Sequence, residues 1–367
     1  MSRPRIVFCY RYGLLGGVSA QLLNRYPYLS REYDVSILYE SDYGMATRFP
    51  AGVARVTPDE AAIVAALREI QPDITVVIDS PVFLDAWRSA GGAGRLVLEV
   101  HTTTANLTYL HHRDLLEGVT HIVTVSSYME KLLGTYGLAD LAPVTVVPNC
   151  LDDRWRQPAP SEQLDGAPVL WVGKLDGHKR WRRAVDIMDE LVLTERDIRV
   201  RPIVVGGLTA NNVEIQALTT RLATSPGLAD AVWLPRVEYD RMPALYTSVG
   251  RSGGLHLCTT SNESFGMAVA ESLVCGCPVV APAVGALPEL LPPAALYRPG
   301  DWAEARDKAR RALSDAGYRQ ELLSTASQVR ELTTPERVLE AYRGVVSAVL
   351  SSQPAVVRGP EPAEPVE

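Results

Sequence analysis

The sequence SNESFGMAVAE at residues 261–271, followed by CGCPVVA at residues 275–281, decides the fold of this chain. It predicts a loop, a short helix and then a buried strand. Small residues at positions 264, 266 and 268 let a ligand approach the backbone closely. A helix that begins near Gly266 points free amides at that ligand, and such amides favour anions such as a diphosphate. Glu263 and Glu271 add two carboxylates, one suited to sugar hydroxyls and the other to a ribose.

The composition is that of a globular protein with more than one domain. The chain has 367 residues, of which 47% are hydrophobic and 22% are charged, and its formal net charge is -7. A chain of this length suits two domains. The negative charge argues against nucleic acid as a partner, because contacts to phosphates need a basic surface. No apolar run in the sequence reaches the length of a membrane span, so we expect no stable membrane insertion.

The cysteines predict no disulfide framework and no metal site. There are five of them, an odd number, and they are widely scattered. Cys275 and Cys277 form a C-x-C pair, but no histidine or second cysteine pair completes a metal-ligand set. Buried reduced thiols suit a cytoplasmic protein, which is the location that we expect.

Short apolar runs alternate with helix-like segments along most of the chain. This alternation predicts an α/β fold with two Rossmann-like, doubly wound domains, whose strand ends face a central cleft. We place the first domain at residues 1–150 and the second at 151–333, after a polar, proline-bearing stretch typical of a linker. A C-terminal helix is predicted at 334–350. The tail at 351–367 is rich in Pro and Glu, so we expect it to be disordered.

Glycines follow the first predicted strand, where the sequence YGLLGGVS covers residues 12–19. Gly16 and Gly17 suit a tight turn into a helix whose amides meet a phosphate or an acceptor. A nicotinamide-dinucleotide site is the rival interpretation, since Glu40 ends the second strand at a suitable distance. However, the G-x-G-x-x-G pattern of such sites is absent. A plain turn is the third possibility.

Two further segments follow predicted strands. Lys174 and Lys179 leave a glycine-bearing turn, and lysine supplies a point charge for a diphosphate. His101 ends a strand and precedes three threonines, a position from which it can meet a polar ligand or developing charge. The alternatives are a solvated basic turn and a loop histidine bonded to its neighbouring hydroxyls.

These motifs resemble those of retaining glycosyltransferases with the GT-B fold, most closely family 4. Glu263 and Glu271 have the spacing of the family's E-x7-E motif, and the segment that begins at His101 is similar to its His-Thr-x-Thr-Thr stretch. The turn at Lys174 resembles the G-R-x5-K-G element, with Lys174 in place of Arg and Arg180 in place of Gly. The family's hinge and nucleobase segments are similar to residues 144–152 and 236–246.

The resemblance implies a nucleotide sugar as donor, a UDP-hexose in our prediction, and a hydroxyl group as acceptor. It implies that Lys174 and Lys179 bind the diphosphate and that Glu271 binds the ribose. It also implies that Glu263 binds the transferred sugar, with His101 as a second catalytic residue. The other implied donor contacts are Gly16, Gly17, Ser264, Phe265, Gly266, Met267 and Ala268. The implied nucleobase contacts are Arg236 and Val237. No cofactor and no metal are expected, because the two lysines can supply the positive charge that a metal ion would bring to the diphosphate.

Two other functions remain open at this point. A nicotinamide-dependent oxidoreductase would use the glycine loop of the first domain. A non-catalytic sugar-nucleotide-binding protein would have the same pocket as the enzyme. The acceptor, the base and sugar of the donor and the oligomeric state are not determined by the sequence. The acceptor could be a small cyclitol or natural product, a lipid-linked sugar or a polysaccharide.

Overall fold

A computed structural model describes residues 2–103, 105–157 and 159–352 of the chain. It divides into two compact units, the first formed by residues 1–150 together with the segment from 335 onward, and the second by residues 151–334. Most of the tail predicted to be disordered, residues 353–367, lies outside the described residues. Each unit is built around one parallel sheet.

The first unit contains a seven-stranded parallel sheet. Its strands are β1 (Arg5–Gly13), β2 (Asp34–Asp42), β3 (Ala54–Val56), β4 (Ile74–Ile78), β5 (Arg95–Val100), β6 (Val119–Thr124) and β7 (Val144–Val146). The helices that precede the second unit are α1 (Gly17–Leu29), α2 (Glu60–Ile70), α3 (Pro81–Ser89) and α4 (Ser127–Thr135).

The second unit repeats the plan with six parallel strands. They are β8 (Ala167–Val172), β9 (Val200–Val205), β10 (Val232–Leu234), β11 (Leu255–Leu257), β12 (Val279–Pro282) and β13 (Leu296–Tyr297). Its helices are α5 (Asp153–Arg156), α6 (Trp181–Thr194), α7 (Asn212–Thr224), α8 (Met242–Arg251), α9 (Met267–Val274), α10 (Leu287–Leu290), α11 (Trp302–Ser314), α12 (Ala316–Leu322) and α13 (Ala326–Leu332).

Both sheets have the strand order of a doubly wound fold. The first runs β3-β2-β1-β4-β5-β6-β7 and the second β10-β9-β8-β11-β12-β13. In each, the order reverses between the first and fourth strands of the unit, and ligands of such sheets bind outside the carboxyl ends of strands at that reversal. The loops after β1 and β4 therefore mark the ligand edge of the first sheet, and those after β8 and β11 mark the ligand edge of the second.

The last helix, α14 (Pro335–Ser351), returns to the first unit. Its apolar residues Val338, Tyr342, Val345 and Val349 lie in one buried cluster with residues of β1, β2 and β4. Their spacing of about four, three and four residues places them on one face of the helix. The sequence predicts this helix, but its spacing does not reveal which unit it packs against.

Eleven of the thirteen strands in the described residues coincide with apolar runs of the sequence, whereas β3 and β13 do not. β3 and β13 contain only three and two residues. β3 includes Arg55 and none of its residues is buried, and β13 is a single dipeptide, so neither strand forms an apolar run in the sequence. Both are paired at an edge of their sheet.

Candidate functional site

The site in the second unit forms where the loops after β8 and β11 meet. The Thr259 side chain, which is fully buried, donates to the backbone oxygens of Lys179 and Arg180 at 2.9 and 3.2 Å. The Ser261 backbone N–H donates to the His178 oxygen at 2.7 Å. The loop that carries the lysines is thereby fastened to the loop that carries Glu263.

Lys179 and Glu263 form an ion pair at this junction, with Nζ 2.5 Å from Oε1. The two side chains are 27% and 15% exposed, so the pair is only partly open to solvent. Burial alone would lower the pKa of Lys179, but the charge and hydrogen bond of Glu263 raise that pKa above its ordinary value. Lys179 is therefore a cation that a diphosphate can use. The sequence predicted both residues as ligands, but not that they bind each other.

Lys174 lies at the other end of the same turn and is exposed. Although the residue as a whole is exposed, the surrounding chain partly desolvates its amine and so lowers its pKa, while the charge of Asp176 opposes this and that of Lys179 adds to it. The Asp176 carboxylate also accepts from the Lys179 backbone N–H at 2.8 Å, which shapes the turn. Two cations therefore approach one small region, where they repel each other until an anion binds between them.

Arg180 keeps the turn shape for which the resembling family uses glycine. Its backbone has φ 49° and ψ 42°, in the left-handed region, and it directly precedes α6. That conformation costs an ordinary residue roughly 1–2 kcal/mol. The guanidinium lies 5.8 Å from the centre of the Trp302 ring, a contact that partly offsets the cost. The turn therefore holds an arginine in a conformation that glycine would adopt without strain.

The backbone of Glu263 is held on both sides. Its N–H donates to the Asn262 side-chain oxygen at 2.8 Å, and its carbonyl accepts from the Ala286 N–H at 2.9 Å. Gly285 has φ 56°, and a Cβ there would stand 2.2 Å from the Glu263 carbonyl oxygen. Only glycine permits this approach, so the loop after β12 fixes the carboxylate's position.

Helix α9 begins directly after this loop, as predicted. Gly266 precedes it with φ 96° and has no side chain with which to cap the first amides. Phe265 is buried and anchors the loop, whereas Ser264, Met267 and Ala268 are half-buried. The first turn of α9 thus presents backbone amides beside the Lys179–Glu263 pair, an arrangement that suits an anion.

Glu271 is buried in the second turn of α9, 6% exposed. The Tyr239 and Tyr246 hydroxyls lie 3.4 and 3.5 Å from its two carboxylate oxygens. Burial raises the pKa of Glu271 to about 8, although both hydroxyls act to lower it. The sequence did not indicate the two tyrosines, because only tertiary packing brings α8 and the segment before it against α9.

The residues predicted to meet the nucleobase lie after β10. Arg236 is exposed, and its Nε lies 2.8 Å from Oε1 of Glu238. Val237 is half-buried. Nothing in the surroundings of these two residues distinguishes a nucleobase contact from a surface ion pair.

In the first unit, Gly16 and Gly17 form the predicted turn between β1 and α1. Gly16 precedes α1 in an extended conformation, and the helix begins at Gly17. Glu40, the residue that a dinucleotide site would use for a ribose, has its Oε2 3.0 Å from the Arg11 Nε. This ion pair, together with the missing glycine fingerprint, does not favour the nicotinamide alternative.

His101 follows β5 and is only 6% exposed. Its Nε2 lies 2.7 Å from Oε1 of Glu99, and its backbone N–H donates to Oδ1 of Asp79 at 3.0 Å. The alternative from the sequence was a ring bonded to Thr102 or Thr104. Thr104 lies outside the described residues, and the ring contact that the structure gives for His101 is to Glu99 rather than to Thr102. His101 is thus a buried, acid-paired histidine at the ligand edge of the first sheet.

Asp79 is a candidate that the sequence interpretation missed. It directly follows β4, at the reversal of strand order, and has φ 48°. Burial raises the pKa of its carboxyl to about 6, while the charge of His101 and the backbone N–H groups of His101 and Thr102 lower it. A strained backbone and a shifted pKa at a strand's carboxyl end are features of functional sites. A carboxylate immediately after an apolar run was the available signal.

Two features are absent from the described part of the chain. Within it, no group of three or more His, Cys, Asp or Glu side chains is arranged to hold a metal ion. None of the helices in that part combines the length and the apolar character that a membrane crossing needs.

The two doubly wound units match the GT-B fold of glycosyltransferase structures. Sucrose-phosphate synthase from Thermosynechococcus elongatus superposes with a TM-score of 0.75 at 16% identity, over 94% of this chain and 100% of that one. At that identity the likeness shows the fold. Residues 153–329 match the family model described as "Glycosyl transferases group 1". The matched part of the chain carries the site around Glu263 and is similar to that family.

Curated relatives match over about half of the chain. A D-inositol 3-phosphate glycosyltransferase from Acidothermus cellulolyticus is 31% identical over 50% of this chain and 42% of its own length. A 2-deoxystreptamine glucosyltransferase from Streptomyces kanamyceticus is 27% identical over 47% of this chain and 46% of its own length. The chain therefore aligns with less than half the length of these relatives.

Proposed function

We propose that the protein is a retaining glycosyltransferase that moves a hexose from a UDP-sugar to a hydroxyl of a small polyol. The observation that carries the proposal is the Lys179–Glu263 pair beside the first turn of α9. It places a cation, a carboxylate and backbone amides within one small region, which are the groups that a sugar diphosphate needs.

In this proposal each group of the second unit has one task. Lys179 and Lys174 bind the diphosphate, and the amides at the start of α9 share its charge. As the glycosidic bond breaks, negative charge builds on the leaving diphosphate, and fixed donors aimed at it lower the barrier. Glu263 accepts hydrogen bonds from the sugar hydroxyls, and Glu271 accepts them from the ribose. The lysines supply the positive charge, so transfer needs no metal ion.

The acceptor class rests on the two relatives. Their names specify an inositol phosphate and 2-deoxystreptamine, both of which are small hydroxylated rings. We extend this class to the present chain and propose a cyclitol acceptor. The first unit contributes His101 and Asp79 as the candidate groups at its own ligand edge.

The donor is tested first. A screen of UDP-, GDP-, ADP- and dTDP-sugars should show the largest rise in melting temperature with a UDP-hexose. A ligand that binds only the folded state stabilises that state, and tighter binding stabilises it more. Lys179→Ala should lose this rise. The matched control is Lys131→Ala, which removes an exposed lysine from α4 and should keep it.

The reaction is tested next by UDP release with inositol phosphates and aminocyclitols. Release that requires an acceptor, and a product with the donor's anomeric configuration by NMR, would support the proposal. Binding of UDP-sugars without release in any acceptor mixture would favour the non-catalytic alternative. No stabilisation by any nucleotide sugar would contradict the proposal altogether.

A further inference from the structure

Three buried side chains, those of Glu99, Arg25 and Tyr342, form one group with the candidate histidine of the first unit. Glu99 stands two residues before His101, so both side chains emerge on the same side of the chain. Glu99 is 1% exposed, and Arg25 on α1 is 3% exposed. Tyr342, on the last helix, completes the group. No part of this arrangement belongs to the donor contacts of the second unit.

Glu99 is held as a carboxylate. Its Oε1 lies 2.8 Å from Nη1 of Arg25 and its Oε2 lies 3.2 Å from Nη2, a bidentate pair. Burial would raise the pKa of Glu99, but the charge of Arg25, with the hydrogen bonds from His101 and Arg25, lowers that pKa well below its usual range. An ionised carboxylate can only accept hydrogen bonds. The Nε2 atom of His101, 2.7 Å from Oε1, must therefore carry the proton of that contact.

The carboxylate cannot turn away from the histidine, because its other partners are fixed. The Arg25 guanidinium lies between two rings, 4.5 Å from the centre of Phe8 and 4.9 Å from that of Tyr342. The Tyr342 hydroxyl donates to Oε2 of Glu99 at 2.6 Å. The last helix therefore holds Glu99 in place from one side and α1 from another.

The backbone of His101 is fixed independently of its ring, since its N–H donates to Asp79 at 3.0 Å. The backbone N–H and Nε2 are both engaged, and among the described residues Nδ1 has no partner, which leaves this ring nitrogen for a ligand. We infer that Glu99 is a positioning residue that keeps the proton of His101 on Nε2 and presents Nδ1 to a sugar or acceptor hydroxyl. The inference deepens the proposed function, on which its activity readout rests, whereas its spectroscopic readout is independent of it.

The test is the tautomer of His101 in the full chain. Long-range proton–nitrogen NMR of the protein labelled in its histidines distinguishes a protonated from an unprotonated ring nitrogen, and His101→Gln assigns the signal. We expect a protonated Nε2. An unprotonated Nε2 in the wild-type protein would overturn the inference, whatever the activity.

Glu99→Gln provides the second arm. Oε1 of Glu99 contacts both Arg25 and His101, whereas Oε2 contacts Arg25 and Tyr342. We expect the amide oxygen to keep the two contacts of Oε2, so that the amide N–H takes the place of Oε1, loses the contact with Nη1 of Arg25 and faces His101, which moves the ring proton to Nδ1. We expect turnover to fall about tenfold or more, as a wrong tautomer does in other enzymes, with unchanged affinity for UDP. A shifted tautomer with wild-type turnover would refute the positioning role.

The matched control is Asp189→Asn, since Asp189 is also a buried acid that contacts an arginine, Arg221 at 3.2 Å, away from the candidate site. It should lower the melting temperature and keep the turnover of each folded molecule. If Glu99→Gln fails to fold, the wild-type tautomer alone decides. If the wild-type protein transfers no sugar, the proposed function fails, while a protonated Nε2 would still support the tautomer.

Discussion

Lys179 and Glu263 are bound to each other, Nζ to Oε1 at 2.5 Å, although they belong to loops 84 residues apart. In the proposed function one of them binds the donor's diphosphate and the other its sugar. The pair therefore holds both side chains close to their working positions. Binding of the donor replaces the contact between Lys179 and Glu263 by one contact of each residue with the donor. The effects of mutating the two residues on donor affinity should therefore be coupled.

This coupling gives the first prediction. Lys179→Ala should weaken UDP binding by roughly 2–5 kcal/mol, because it leaves an acid facing the diphosphate. Glu263→Gln should bind UDP at least as well as the wild type, since the lysine loses its competing partner, yet turn over slowly. Calorimetry on both variants and on the double variant measures the coupling. Additive effects on UDP binding would mean that the contact between Lys179 and Glu263 is not exchanged when the donor binds.

The second prediction concerns Glu271 and pH. Its folded pKa of about 8 is raised above the ordinary value of 4.5, so the folded state retains a proton that the unfolded state releases between those values. The stability that this protonated carboxyl contributes is fully present below pH 4.5 and is lost as pH rises towards 8, by at most roughly 1.4 kcal/mol per pH unit.

Glu271→Gln should remove this pH dependence, because glutamine is neutral at every pH. Urea unfolding at pH 5 and pH 8 compares the two proteins. The variant should gain stability relative to the wild type at pH 8 more than at pH 5. Parallel curves for the two proteins would show that Glu271 does not titrate in this range.

The third prediction concerns Arg180, which holds a left-handed conformation. Arg180→Gly and Arg180→Ala both remove the contact with Trp302. The difference in stability between the two variants therefore reflects only the cost of the backbone conformation. The glycine variant should be the more stable by about 1 kcal/mol, because glycine adopts positive φ without strain. Thermal unfolding measures the difference. An alanine variant of equal stability would mean that the turn relaxes out of this conformation.

The fourth prediction concerns Gly285. A methyl group there would collide with the Glu263 carbonyl oxygen at 2.2 Å. Gly285→Ala should displace the Glu263 loop and lower turnover about tenfold or more, since small misplacements of catalytic groups are costly. Gly276→Ala is the matched control, because Gly276 also has positive φ, 75°, but nothing stands within 4 Å of its added Cβ. Equal turnover in both variants would argue against the loop's role.

The fifth prediction is that transfer survives a chelator. In the proposed function, two lysines and the start of α9 supply the positive charge that a metal would otherwise provide. Turnover measured with excess EDTA should remain within about twofold of the untreated enzyme. Loss of turnover that magnesium or manganese restores would contradict the proposed charge compensation.

The sequence by itself determined the two doubly wound units and most of the donor-site candidates. Apolar runs of strand length and loops that follow strands are local features, so they can be read without the fold. Glu263, Gly266 and Lys179 lie in such loops, and the reversal of strand order brings those loops together.

Only the tertiary structure decided which side chains bind one another. The contact of Lys179 with Glu263 joins loops that are distant in the chain, and Tyr342 reaches Glu99 from a helix 243 residues away. Asp79 became a candidate only when its strained backbone was visible. Such pairings depend on packing between elements, which leaves no periodic trace in a single sequence. Local pattern therefore fixed where a site can form, and long-range packing fixed its charges and geometry.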